Sequence, residues 1–253
     1  GFPLLLASVP RPARPMSARS GSPTGLPTSR RALALALLQP FRDAQATFRR
    51  DRAYLWYQLN FSTYGIAFIM LVPVVPLYFA NELHLPYDDI ARSRVLIGSL
   101  GIALLGPLAG RFMDRLHPAR LCAVSFAWVM LFPITLAVGP ALSLTAAQTA
   151  YAAFVIYTLG MAGVNIAWNV GSIAFAPPGQ GGHYQGIHTA MVGVRGLLAP
   201  VLGYLLLEFL GYREVFVAAA ALFLAAGVSS ALLARRVGPV GPVSGAKDPV
   251  REG

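Results

Sequence analysis

The chain has 253 residues, of which 56% are hydrophobic and only 12% charged, against about 25% charged in an ordinary soluble domain. With a mean hydropathy of +0.59 and apolar residues gathered into long charge-free blocks, this excludes a soluble globular protein and predicts an all-α protein that crosses a membrane several times. The net charge of +10 would suit a nucleic-acid partner, but the arginines cluster beside and between the apolar blocks, so no nucleic acid is expected.

Residues 1–9 (GFPLLLASV) read as the end of a preceding transmembrane helix, because they are apolar and start abruptly. Residues 10–52 read as a cytoplasmic linker: Pro, Ser, Gly and Arg dominate from Pro10 to Arg31, and Ala32 to Leu38 is apolar but too short to span, which suits an interfacial helix. The six-helix transmembrane bundle is then 53–236, and 237–253 is a cytoplasmic tail. The spans are predicted over Ala53 to Ala80, Val95 to Gly110, Leu121 to Val138, Ala147 to Ala176, Tyr184 to Leu210 and Val215 to Leu233. Arg94 and Arg111 bound the second; Gly139-Pro140 and the Pro177–Gly182 run divide the charge-free stretch that holds the third, fourth and start of the fifth.

Six spans put both termini on one side. That side carries 16 of the 20 basic residues, while Arg92, Arg94 and Arg213 lie opposite, so the positive-inside rule makes both termini cytoplasmic. An integral protein of a bacterial plasma (inner) membrane is expected. One cysteine, Cys122, and four histidines without zinc-ligand spacing give no metal site, and nothing in the chain calls for a cofactor.

The loop between the second and third spans reads Gly110-Arg111-Phe112-Met113-Asp114-Arg115-Leu116-His117-Pro118-Ala119-Arg120. It resembles the G-x-x-x-D-R-x-G-R-[RK] signature of the major facilitator superfamily. Gly110, Asp114 and Arg115 match; His117 and Pro118 replace the glycine and first basic residue, and Arg120 substitutes for the later charge one position on. Gly110 would permit close helix approach, Asp114 would face a helix N-terminus, and Arg115 would pair with a carboxylate or headgroup. In the fifth span, Gly193 to Gly203 carries small residues and Pro200, as fifth helices of this family do.

The resemblance covers residues 50 to 236 and implies one half of a twelve-helix bundle. With the linker and the apolar residues before it, the chain is expected to be the C-terminal half, with the N-terminal six-helix half as a partner. A natural six-span protein acting as a homodimer is the alternative. The implied function is secondary active transport of a small-molecule solute by alternating access, a permease rather than an enzyme. An ABC-type permease would need a phosphate-binding loop, which the chain lacks, or a separate ATPase; an intramembrane protease would need a serine–histidine pair or H-E-x-x-H. A non-transporting receptor or scaffold is the third class.

Polar residues inside spans are costly and mark function. Arg195 is the only charge well inside a span, roughly 13 Å along the fifth helix counted from Gly186. Its functional reading is contact with an anionic substrate group or with a carboxylate across the interface between halves, which tilts the solute toward anionic or neutral. His188, seven residues earlier on the same face, is expected to be a solvated loop-edge histidine. Asn165, Trp168, Asn169 and Ser172 fall at i, i+3, i+4 and i+7 on the fourth span, and Asn60 and Tyr64 at i and i+4 on the first. By resemblance, first and fourth helices line the family's cavity, while second and fifth lie at the boundary between halves. No Asp or Glu lies deep in a span: Glu208 is near the outer end of the fifth, and Glu82, Asp88 and Asp89 are in the outer loop. A proton-coupling carboxylate would therefore belong to the other half.

Overall fold

The computed structural model describes residues 42–113 and 116–237, and among them the backbone is helical with no strand. Six helices are long and apolar enough to cross a membrane: Arg52–Asn81, Tyr87–Arg111, Pro118–Leu142, Ala146–Val170, Gly181–Leu210 and Tyr212–Val237. At 1.5 Å per residue the 30-residue first and fifth spans are about 45 Å long, enough for the hydrocarbon core and both headgroup layers.

Cross-span contacts fix the up-and-down order. At one end Tyr57 Oη, near the start of the first span, donates to the Ala167 carbonyl at the end of the fourth (2.9 Å), and Tyr54 Oη donates to the carbonyl of Tyr184, near the start of the fifth. At the other end Tyr78 Oη donates to the Leu136 carbonyl (3.0 Å), Asn81 contacts Tyr212, and Tyr151 Oη donates to Asp89 (2.6 Å). Residues 52 and 237 thus share one side, here the terminal side, and the loop at 82–86 lies on the far side.

The span ends have local causes. Asp51 caps the first span by accepting from the Tyr54 N–H at 2.9 Å. Thr145 and Gln148 form a reciprocal capping box on the fourth. Gly211, at φ 101°, allows the fifth to turn directly into the sixth. The second span starts at Tyr87, eight residues before Val95, because Arg92 and Arg94 are carried within the helix; residues Arg92–Leu100 wind as a π-helix. The fourth ends at Val170 rather than Ala176, with a turn through Gly171 and Ser172. Within the segment expected as linker, residues 42–50 are helical, and Thr47 Oγ1 meets His183 Nε2 at 2.9 Å. The apolar segments at 1–9 and 32–38 lie outside the described residues.

The core follows one face of the first span, where Tyr54, Tyr57, Phe61 and Tyr64 are all buried and stack on one another and on Phe126, Phe175, Tyr184 and Phe223. Burial is uneven between spans. It reaches 44–56% in the first, third, fourth and sixth but only 11% in the second and 17% in the fifth, which present Leu104, Leu108, Leu197 and Phe209 outward.

Candidate functional site

Arg195 sits fourteen residues into a helix that starts at Gly181, so it lies about 21 Å along a 45 Å span, near mid-height rather than close to one end. Helical side chains lean toward the N-terminus, and the guanidinium accordingly reaches back to the first span, where Nη1 donates to the Phe61 carbonyl at 2.9 Å. The guanidinium carbon stands 5.5 Å from the centre of the Phe61 ring. Gly65 makes this position possible: a Cβ there would strike the Arg195 side chain at Nε, Cδ and Cζ. Arg195 Nε is buried without a partner, and no carboxylate neutralises the charge among the described residues; the ion pair found there is Arg92–Asp89, at 3.9 Å on the far side.

The guanidinium opens onto a cavity of about 270 Å³ between the first, fourth and fifth spans. Tyr64, Asn165, Trp168 and Arg195 line it together with Gly65 and Phe68. Of the residues expected at a substrate cavity the structure brings these four together. Asn60 is buried elsewhere, its Nδ2 without a partner, and Asn169 folds back on its own helix, Nδ2 donating to the Asn165 carbonyl at 2.7 Å. Ser172 leaves the polar face altogether because it lies past the helix end.

Ser172 belongs instead to a buried chain that periodicity does not reveal. Gln58 Nε2 donates to Ser172 Oγ at 3.2 Å, and Gln58 Oε1 lies 3.0 Å from His188 Nδ1. All three residues are fully buried. An amide oxygen only accepts, so the network assigns the proton to His188 Nδ1 and leaves Nε2 as a free, buried lone pair. His188 is therefore not a solvated loop-edge residue: with the fifth span beginning at Gly181 it lies two turns inside the helix, against Phe61 at 4.8 Å between ring centres and Trp168 at 6.0 Å. The signal in the sequence was Gln58, a second amide beside Asn60 in a charge-free span.

In the loop between second and third spans, Asp114 and Arg115 lie outside the described residues. A Cβ at Gly110 would stand 4.0 Å from Ile166 Cδ1, so no close approach depends on that glycine; Arg120 is exposed. The departures at 117 and 118 have a structural role. His117 Nδ1 accepts from the Ala119 N–H at 3.2 Å and caps the third span, with Pro118 at its first position. Burial and the nearby Arg120 charge hold the His117 pKa below the usual imidazole value.

None of the curated proteins matches the chain. Residues 1–194 match the Major Facilitator Superfamily, a stretch that runs through the first four spans and reaches Arg195's neighbour in the fifth, and the chain belongs to this family of membrane transporters.

Proposed function

We propose that the protein is a secondary active transporter of a small solute, working by alternating access around the Arg195 cavity, and that this chain is its C-terminal six-helix half. The observation that carries the reading is the cavity itself: a charged residue at mid-height, without a counter-charge among the described residues, beside an asparagine and a tryptophan. Keeping an unpaired charge at this depth costs several kcal/mol, a cost that folding alone gives no reason to retain. The half reading is supported by the outward apolar faces of the second and fifth spans, whose low burial suits a second bundle packed against them. The basic residues flanking the terminal side support cytoplasmic termini. No catalytic role is assigned to Ser172, whose hydroxyl is tied to Gln58 rather than to a histidine.

The test is two-sided accessibility of Asn165→Cys in native-membrane vesicles of each orientation, using a membrane-impermeant thiosulfonate. Native Cys122 is buried and contributes little background. Alternating access predicts modification from both faces; modification from one face alone would favour a receptor or scaffold.

A further inference from the structure

A second cavity, of about 210 Å³, lies between the first, second, third and fourth spans and is lined by Arg94, Ser99 and aromatic side chains that include Phe68 and Tyr157. Phe68 also lines the Arg195 cavity, so one ring is a wall of both chambers. It stacks on Tyr157 with ring centres 6.3 Å apart and planes 16° from parallel. Phe68 lies about 24 Å along the 45 Å first span, so this pair of rings stands near mid-height. Arg94 lies only about 10 Å from the far end of the second span, whereas the Arg195 guanidinium leans toward the terminal side. The two chambers are thus stacked across the membrane, each with one arginine, one uncharged polar side chain (Ser99 in one, Asn165 in the other) and a mainly apolar and aromatic wall.

The π-helix at Arg92–Leu100 builds the second chamber. Its wider i→i+5 winding sets Ser99 over Arg94, with Ser99 Oγ 3.4 Å from the Arg94 carbonyl, and both side chains line the cavity. Thr158 Oγ1 meets the winding at the Ile97 carbonyl, 2.8 Å away, its single proton shared with the Phe154 carbonyl at 2.7 Å. Arg94, like Arg195, has no carboxylate partner among the described residues.

We propose that the solute is a small organic anion with an apolar body, bound at two stations: Arg94 takes its negative group in the far-side chamber and Arg195 in the terminal-side chamber, with the Phe68–Tyr157 pair as the partition between them. This rests on the transporter reading and names its substrate class. A guanidinium fork matches a carboxylate and the aromatic walls match an apolar body; ring faces also attract cations, but in each chamber an arginine without a carboxylate partner among the described residues repels one.

The probes are benzoate, benzamide and benzamidine, which share a shape and carry negative, zero and positive charge. Each is tested in native-membrane vesicles for slowing thiosulfonate modification of Ser99→Cys in one chamber and Asn165→Cys in the other. Benzoate is expected to slow both by about tenfold or more, as a charge-assisted bond would. Arg94→Gln should abolish protection at position 99 and Arg195→Gln at position 165, while Arg94→Lys and Arg195→Lys, which keep the charge, retain part of it. Equal or better protection by benzamide or benzamidine, no protection by benzoate, or protection at 99 that survives Arg94→Gln, as an arginine directed at lipid headgroups would leave it, overturns the proposal. Two-sided modification of Asn165→Cys without any probe reports the transporter reading separately: if it holds while benzoate fails, the solute class is wrong and transport stands. If benzoate protects both positions but modification is one-sided, the anion stations stand and transport does not.

Discussion

Replacing Arg195 with methionine removes the buried charge while keeping most of the side-chain volume. Three terms change. The bond from Nη1 to the Phe61 carbonyl is lost, about 1.5–3 kcal/mol for a charged donor. The Phe61 ring contact at 5.5 Å is lost, about 0.5–2 kcal/mol. Against these, a desolvation cost of several kcal/mol for an ion without a counter-charge disappears. The Phe61 carbonyl keeps its bond within the first span, so nothing is left unpaired on that side. Arg195→Met is therefore expected to lie no more than about 1 kcal/mol below the parent protein, a Tm loss of about 2–4 °C at most for a chain of this size, while protection by benzoate is lost. Thermal unfolding of the full-length protein in detergent measures the first and thiol protection the second. A loss of about 3–5 kcal/mol, the cost of breaking a buried pair, would instead mean that a carboxylate from beyond the described residues neutralises Arg195.

Gln58→Leu cuts the buried chain between Ser172 and His188; two interhelical bonds in a membrane protein are worth about 0.6 kcal/mol each and up to about 1.7, so a loss of about 1–3 kcal/mol is expected by thermal unfolding, and no loss would show the chain to be idle. The lowered His117 pKa makes stability pH-dependent: the neutral ring caps the third span, so stability is constant above the unfolded-state pKa of about 6.5 and declines as pH falls below it toward the folded pKa. His117→Asn, which caps without titrating, should flatten that decline in a melting series over pH. Leu104→Cys, on the outward face of the second span where the residue is 76% exposed, labelled with a thiol-reactive benzophenone and irradiated, should cross-link within a single twelve-helix polypeptide; a product of twice the chain's mass would identify a homodimer of six-span chains instead.

The number and order of the spans were legible because a bilayer leaves helices little freedom in length or composition. Their ends were less so. Charge was taken as a boundary at Arg94, yet long arginine stems let a helix carry Arg92 and Arg94 and start at Tyr87. The same holds for the site. Helical periodicity placed Asn165 and Trp168 on one face, and they do line the cavity with Tyr64 and Arg195. It could not say which neighbour each face meets, and Asn60 and Asn169 look elsewhere for that reason. His188 was expected to be solvated and Gln58 was passed over, because a pair of neutral polar side chains that satisfy each other leaves no pattern along either helix. The π-helix and the second chamber are likewise tertiary features, in contact with a threonine sixty-one residues away.

A fold that carries a solute shows it in counterflow. Native-membrane vesicles preloaded with unlabelled benzoate and placed in a trace of radiolabelled benzoate should transiently accumulate label above its equilibrium level, and the overshoot should vanish in Arg195→Gln. Label that rises only to equilibrium, at the same rate with and without Arg195, would contradict carriage of an anion by this protein.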